Sequence, residues 1–428
     1  MILSPNRLRF SLSLVLLVLT LTLSAQIRIA SPYSRFGLGD LSTNNNAWNF
    51  SMGETSIGMR STYHVNYVNP ASYMAFDSLS FLFEGGFNSQ FVTLSSNLQK
   101  VNRNYASLGY LLFGMPVTKW WHTSLGLVPF SDVGYSVATY EQYPGVGNVV
   151  REYNGSGGIN RFFWGNAFRI TKNLSVGVNM SYLFGSMIRD ATVFYPDSVY
   201  SMDFRAINYV TVNSLYFNFG LQYRVKLKKD IYLNLGGIFS NTTNMSAKTD
   251  LLAYTFLVGS SNIESPRDTL ASTSGLKGKI VIPMVVGGGF SVDKADKWTI
   301  GADYRWQNWS KFRAFDLSDS LVDSWQVSVG GELVPGVDNY SNYLARVRYR
   351  LGFVYEKTYL QLRGKQLDAY AVTLGFGFPL RGVKTLLNIG AQFGSRGTTT
   401  QDLIKESYFR LVIGFTIYDR WFVKRKYF

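Results

Sequence analysis

The chain contains no cysteine, which excludes disulfide stapling, thiolate metal ligation, a cysteine nucleophile and acylation as a lipoprotein. It has only two histidines, His64 and His122, far apart in the sequence, so a histidine dyad or an imidazole-rich metal cluster has little to work with. Gly287, Gly288 and Gly289 lack the following Lys-Ser/Thr of a phosphate loop. Asp316, Asp319 and Asp323 lack the spacing of an EF-hand cage and read as a solvated acidic loop. No catalytic residue, cofactor or metal site is therefore expected. Long apolar runs are missing too. Beyond residues 10–23, which are uncharged and too short to span comfortably as a helix, no stretch could serve as a helical membrane span.

That run follows Arg7 and Arg9 and leads to Leu23-Ser24-Ala25 before Gln26, so residues 1–25 read as an export signal. The net charge of +15 falls to +13 when Arg7 and Arg9 leave with it. Much of the remainder sits in short turns and the tail, at Lys119, Lys172, Lys228, Lys229, Lys294, Lys297, Lys424, Arg425 and Lys426. Without an accompanying stripe of base-stacking aromatics these are solvated or lipid-headgroup charges, and no nucleic-acid partner is expected.

What the chain has in quantity is alternation. In 346–355, Val347, Tyr349, Leu351, Phe353 and Tyr355 fall on one face and Arg346, Arg348 and Arg350 on the other. In 216–225, Phe217, Phe219, Leu221, Tyr223 and Val225 oppose Asn218, Gln222 and Arg224. A strand with one face for lipid and one for water, closed so that no edge is left unpaired, makes a transmembrane β-barrel. A mean hydropathy of +0.01 agrees, because only every second strand residue must be apolar.

Fourteen antiparallel strands are predicted, near 79–90, 104–117, 121–138, 157–170, 174–189, 209–227, 231–243, 277–292, 297–310, 324–335, 344–357, 368–380, 384–395 and 406–418. Turns at 118–120, 171–173, 228–230 and 293–296 are tight and would face the periplasm. The polar loops 139–156, 190–208, 244–276 and 311–323 would face the exterior of a Gram-negative outer membrane. Aromatics make up 16% of the chain. Trp120, Trp121, Trp298, Trp421 and Phe422 are expected in one interfacial girdle, Trp306, Trp309 and Trp325 near the other. Residues 26–78 break the alternation, mixing glycine, aromatics and single charges as a packed irregular unit does. Irregular backbone survives at membrane depth only inside protein or a wet cavity, which places this segment in the barrel lumen as a hatch, with 79–428 as the barrel.

With the signal, the N-terminal segment carrying Asn69-Pro70-Ala71, the fourteen strands and the terminal Phe428, the chain resembles the FadL family of outer-membrane transporters of long-chain fatty acids and aromatic hydrocarbons. Pro32-Tyr33-Ser34-Arg35-Phe36-Gly37-Leu38-Gly39-Asp40 and the closing run 419–426 are more particularly similar to its Bacteroidetes branch. The resemblance implies a hatch-closed barrel that takes up a hydrophobic small molecule passively and releases it sideways into membrane lipid through a kinked third strand. That strand contains Val128, Pro129 and Phe130. Proline lacks the amide hydrogen a ladder needs, so Pro129 makes either a bulge or a gap, and the resemblance favours a gate. Pro283 in the eighth strand reads as a bulge.

Asp303, Arg305, Glu332, Arg346, Arg348, Arg350 and Arg410 are expected to face the lumen. They read as a charge ladder bracing wall and hatch, or as a carboxylate-binding patch. A non-transporting barrel serving as scaffold or accessory subunit of a secretion or assembly complex is the alternative function. A continuous apolar tunnel leading to Pro129 would separate the two.

Overall fold

A computed structural model describes residues 31–42, 45–197, 201–258, 263–294, 297–319, 321–336, 342–380 and 385–420. The expected signal and its cleavage site, and the tail with Trp421, Phe422 and Phe428, lie outside these residues. No described helix is long and apolar enough to cross a membrane. The chain forms a closed antiparallel barrel of fourteen strands.

In order these are Ser80–Ser95, Lys100–Pro116, Trp121–Tyr143, Gly147–Arg169, Leu174–Phe194, Asp203–Lys228, a seventh in two pieces (Ile231–Ser240 and Thr243–Val258), and an eighth in two pieces (Glu264–Ile282 and Val285–Lys294). Trp298–Gln307, Ser324–Leu333, Arg348–Leu362, Lys365–Pro379, Leu386–Arg396 and Lys405–Arg420 complete the wall. Closure is by the fourteenth strand on the first, in unbroken register from Lys405–Ser95 to Arg420–Ser80.

Alternation sorts the two faces as physical chemistry requires. On the eleventh strand Leu351 is 59% exposed on the outer wall while its neighbour Arg350 is 3% exposed inside. Every strand residue needs a ladder partner in lipid, and closure supplies one around almost the whole wall.

All fourteen strands fall where the alternation places them, but several rise further than expected, the third to eighth among them. The third and fourth run to Tyr143 and from Gly147, so 139–156 is mostly hairpin, and the seventh and eighth likewise replace much of the expected loop 244–276. The loop 190–208 shortens in the same way, with strand up to Phe194 and again from Asp203. In these upper parts both faces meet water, so polarity no longer alternates, although Thr, Tyr and Val still favour extended backbone. Pro283 falls in the break between the two pieces of the eighth strand.

Residues 31–78 pack inside the barrel as short pieces: 3-10 turns Pro32–Arg35 and Pro70–Ala75, a two-residue strand Asp40–Leu41 and one helical turn Ala47–Phe50. Their backbone runs directly on wall backbone where the wall bears glycine. A Cβ on Gly330 would come within 2.0 Å of Met52 O, and one on Gly352 within 2.0 Å of Gly53 N. Above them an apolar cluster joins Tyr33 and Leu38 to Phe130, Val133, Ile159, Val212, Ile282 and the loop residues Trp309 and Phe312. Trp309 is thus an interior residue, 1% exposed, and not part of an outer girdle. It belongs to a 3-10 turn, Trp309–Lys311, past the end of the ninth strand, where strand alternation no longer dictates which way a side chain points.

Candidate functional site

The ladder between the second and third strands is short. It runs from Pro116–His122 to Leu111–Leu127 and stops there. Among the described residues no pairing joins 100–110 to 128–143, although the second strand stays paired to the first as far as Lys100 and the third to the fourth as far as Tyr143. The interruption begins at Val128, one residue before Pro129. On the other side of Pro129, the ladder with the fourth strand steps from Pro129–Asn160 to Ser131–Ile159, leaving Phe130 as an extra, bulged residue. Bulge and gap therefore occur together, and the wall carries a seam from mid-height to its outer rim.

The N-terminal segment covers the lower part of the third strand's freed edge. Asp40 and Leu41 pair with Asp132 and Ser131. Ser42 N donates to Phe130 O at 3.0 Å and Ser31 N to Gly134 O at 3.1 Å. Gly134 N in turn donates to Ser34 Oγ at 3.0 Å. This cover is tied to the far wall by Arg396 of the thirteenth strand, which bonds Asp40 Oδ1 at 2.8 Å, Glu406 Oε2 at 2.8 Å and Ser31 Oγ at 2.8 Å. Burial pushes the phenol of Tyr33, in the same cover, up to about 12.

Leu41 lies between three interior cavities of about 170, 80 and 100 Å³. The one beside Pro129 is lined by Asn45, Asn88, Gln90, Asp132 and Arg410 as well as Leu41. Its wall is thus mixed, with Leu41, Phe50, Pro129 and Val412 beside these polar groups, and it is not the uniformly apolar passage expected at Pro129.

The expected charge ladder divides. Glu332 bonds Arg348 at 2.8 Å and Arg350 at 2.7 Å, and Arg350 also donates to Asn388 Oδ1 at 2.8 Å. Asp303 instead accepts three backbone amides of the N-terminal segment, from Ser56 at 2.5 Å, Ile57 at 2.7 Å and Gly58 at 3.4 Å. Arg410 donates to Gln90 at 2.8 Å and lies over the Tyr408 ring beside the seam cavity. Arg305 faces a different chamber. Arg346 is not on a strand at all: it closes the helical turn Tyr343–Arg346, because the eleventh strand starts two residues later.

Asn69, Pro70 and Ala71 are fully buried against the fifth and sixth strands. Asn69 accepts from Ala71 N at 3.2 Å, capping the turn, and donates to Ile57 O at 2.8 Å and Leu221 O at 3.1 Å. Gly177 and Gly220, paired across those strands, are bare where Pro70 and Asn69 rest. Both histidines are buried. His122 Nδ1 meets Tyr73 O at 2.8 Å, and His64 stacks on Trp48 with ring centroids 5.2 Å apart. Among the described residues no acidic, histidine or cysteine cluster could hold a metal. Asp319 accepts from Gly37 N, and Asp323 from Ser310 N at 3.0 Å.

Sequence reasoning missed the covering strand Asp40–Leu41 and its anchor Arg396. Only Asp40 next to a Gly-Leu-Gly turn could have pointed to them.

No curated protein matches the chain. Solved structures do. The CymD monoaromatic hydrocarbon channel is similar at 14% identity and a TM-score of 0.56, over 89% of this chain and 98% of that one. The Ralstonia pickettii toluene transporter TbuX is similar at 14% and 0.57, over 88% and 98%. A Pseudomonas aeruginosa FadL homologue is similar at 12% and 0.58, over 90% and 99%. At such identities the likeness is one of fold. The family whose model matches, over residues 8–428, is described as BamG, so the resemblance to the FadL family holds for the architecture and not for the family.

Proposed function

This chain belongs to the BamG family; from the fold it shares with hydrocarbon channels and from the open seam, we propose that it is an outer-membrane barrel that passes hydrophobic small molecules sideways into membrane lipid. The observation that carries this reading is the ladder ending at Leu111–Leu127 beside Pro129, because the wall there gives up strand-to-strand pairing, and the third strand's edge is covered only from inside by residues 31–42. Val128, Pro129 and Phe130 are the gate in this reading, and residues 31–78, with Asn69-Pro70-Ala71 at their most deeply seated turn, are the hatch that keeps the lumen from leaking. The charged residues Asp303, Glu332, Arg348 and Arg350 brace hatch and wall. Two barrels of the same fold are a monoaromatic hydrocarbon channel and a toluene transporter, which supports the ligand class. Uptake needs no energy source: about 0.8 kcal/mol per buried methylene favours moving an apolar molecule from water into the barrel and on into lipid.

A second reading, a scaffold or accessory subunit of a secretion or assembly complex, is favoured by one observation. Asn88, Gln90, Asp132 and Arg410 share the lining of the cavity at the seam with Leu41, Phe50, Pro129 and Val412, where a hydrocarbon route would be more uniformly apolar.

Pro129→Val separates the two. A residue with an amide hydrogen allows the third strand to regain a ladder bond and straighten, which stabilises the wall and narrows the seam. Cellular uptake of a hydrophobic fluorescent probe, at matched surface expression, should fall several-fold while uptake of small polar solutes is unchanged. Undiminished probe uptake in a correctly inserted variant would remove lateral release and leave the scaffold reading.

A further inference from the structure

The cavity of about 170 Å³ reaches from Leu41, Ser42 and Phe130 beside the seam to the inner wall of the ninth to eleventh strands. Arg305, Gln326 and Glu356 form one row across that wall, since Arg305 pairs with Gln326 and Gln326 with Glu356. All three line the cavity. Two inter-strand steps put the arginine and the glutamate backbones roughly 10 Å apart.

Gln326 between them is engaged elsewhere, donating to Glu54 Oε2 at 3.2 Å. Glu54 lines the same cavity, but both its oxygens are engaged, the other accepting from Gln392 at 3.1 Å. Arg305 and Glu356 have no hydrogen-bond or ion-pair partner among the described residues, and Arg305 Nε is buried with nothing to donate to. The donor Trp309 Nε1 and the acceptor Asn218 Oδ1 on the same lining are also buried and unmatched, while the second arginine of the lining, Arg161, lies over the Tyr67 ring. The rest of the lining includes the apolar side chains of Ile238, Ile282 and Val285.

Of the two arginines and two glutamates on the lining, Arg161 and Glu54 are engaged by Tyr67 and by Gln326 and Gln392, and the remaining cation and anion, left apart, are costly unless something placed between them satisfies both. Neither can neutralise the other across the intervening Gln326. The free groups form two sets, donors at Arg305 and Trp309 and acceptors at Glu356 and Asn218. One molecule with a carboxylate at one end and an ammonium at the other matches both sets, with a short methylene body against the isoleucines and valine. A cavity of about 150 Å³ holds a molecule of benzene's size, so the occupant has roughly six to eight non-hydrogen atoms.

We propose that this chamber is a binding site for a small zwitterion of the amino-acid type, its carboxylate on Arg305 and its ammonium on Glu356. Phe130 borders the same chamber, but the charged pair lies on the ninth and eleventh strands, so the proposal stands whether or not the barrel releases hydrophobic molecules at the seam.

The test uses the full-length barrel purified in a non-ionic detergent and isotope-labelled γ-aminobutyrate, equilibrated by prolonged dialysis. Butyrate and butylamine serve as probes carrying one charge each. Saturable binding of one γ-aminobutyrate per barrel is expected, with both single-charge probes at least tenfold weaker. Arg305→Gln and Glu356→Gln should each weaken binding at least tenfold, and the exchanged pair Arg305→Glu with Glu356→Arg should regain it. Folding of each variant is checked by heat-modifiable gel migration. If the charge variants do not fold, Trp309→Phe, which removes the indole N–H, should still weaken binding several-fold. Absence of saturable binding to the wild type overturns the proposal. So does equal binding of butyrate, which would make the chamber a plain anion site, or unchanged binding by folded Arg305→Gln or Trp309→Phe.

Discussion

Asp303 and Glu332 are inward carboxylates on adjacent strands, yet each holds a different part of the molecule. Asp303 takes three amides of the N-terminal segment, whereas Glu332 takes two arginines of the wall. Their neutralisation should therefore give separable defects. Asp303→Asn weakens charge-assisted bonds of about 1.5–3 kcal/mol each, so protease access to residues 31–78 should rise while the barrel keeps its heat-modifiable migration. Glu332→Gln leaves Arg350, whose side chain is 0% exposed, without its carboxylate. Stranding a buried charge costs about 3–5 kcal/mol, so the temperature at which the compact gel form is lost should drop, with the N-terminal segment still protected. The same drop in both variants would mean that the two carboxylates do not divide wall from insert.

His64 sets a pH dependence of definite sign. Burial holds its imidazole below the ordinary value, outweighing Glu84 with Oε1 at 3.6 Å; Arg350 pushes further down and Glu332 pushes up. Thr416 Oγ1, at 3.3 Å from Nδ1, and the stacked Trp48 complete its surroundings. The unfolded chain then binds a proton that the folded chain refuses, so this residue's contribution is full above about pH 6.5 and is lost as pH falls below it. The thermal midpoint of the wild type should decline between pH 7.5 and 5.5. The decline should be smaller in His64→Gln, and an equal decline would assign the acid sensitivity to other groups.

At the scale of the element, sequence and structure part where the environment changes. Strand positions were legible because lipid on one side and packed interior on the other force period two, as in Tyr349 to Tyr355 or Phe217 to Val225. Above the membrane that force is gone, and the upper halves of the third to eighth strands read as polar loop. Pro129 was legible as a disturbance because a missing amide hydrogen is a property of the residue itself. What covers the opened edge was not. Asp40–Leu41 is too short to carry a pattern, and its anchor Arg396 is distant in sequence. Arg346 and Trp309 were misread for one reason: each lies just off a strand end, where the alternation that assigns a side chain to a face has already stopped.

For the whole molecule, the wall and its insert are separable in principle. The fourteen strands pair with one another and close without help from residues 31–78, except along the upper third strand. Deleting residues 26–78 while keeping the export signal should still give an inserted, heat-modifiable barrel, but one with a water-filled lumen. Planar-bilayer recording should show steady conductance where the full chain is closed. An inserted deletion variant as tight as the full chain would show that the wall and its loops, such as the one bearing Trp309 and Phe312, make the seal.

Because six consecutive strands rise above the other eight, the rim is not a level circle but a slope. The seam lies at one foot of that slope, where the tall third strand stands beside the shorter second. A body arriving from outside meets a back wall over nearly half the circumference and finds the low side elsewhere, next to the same foot. The molecule therefore has a front, and in a crowded membrane its bearing relative to its neighbours decides whether that front is clear or blocked.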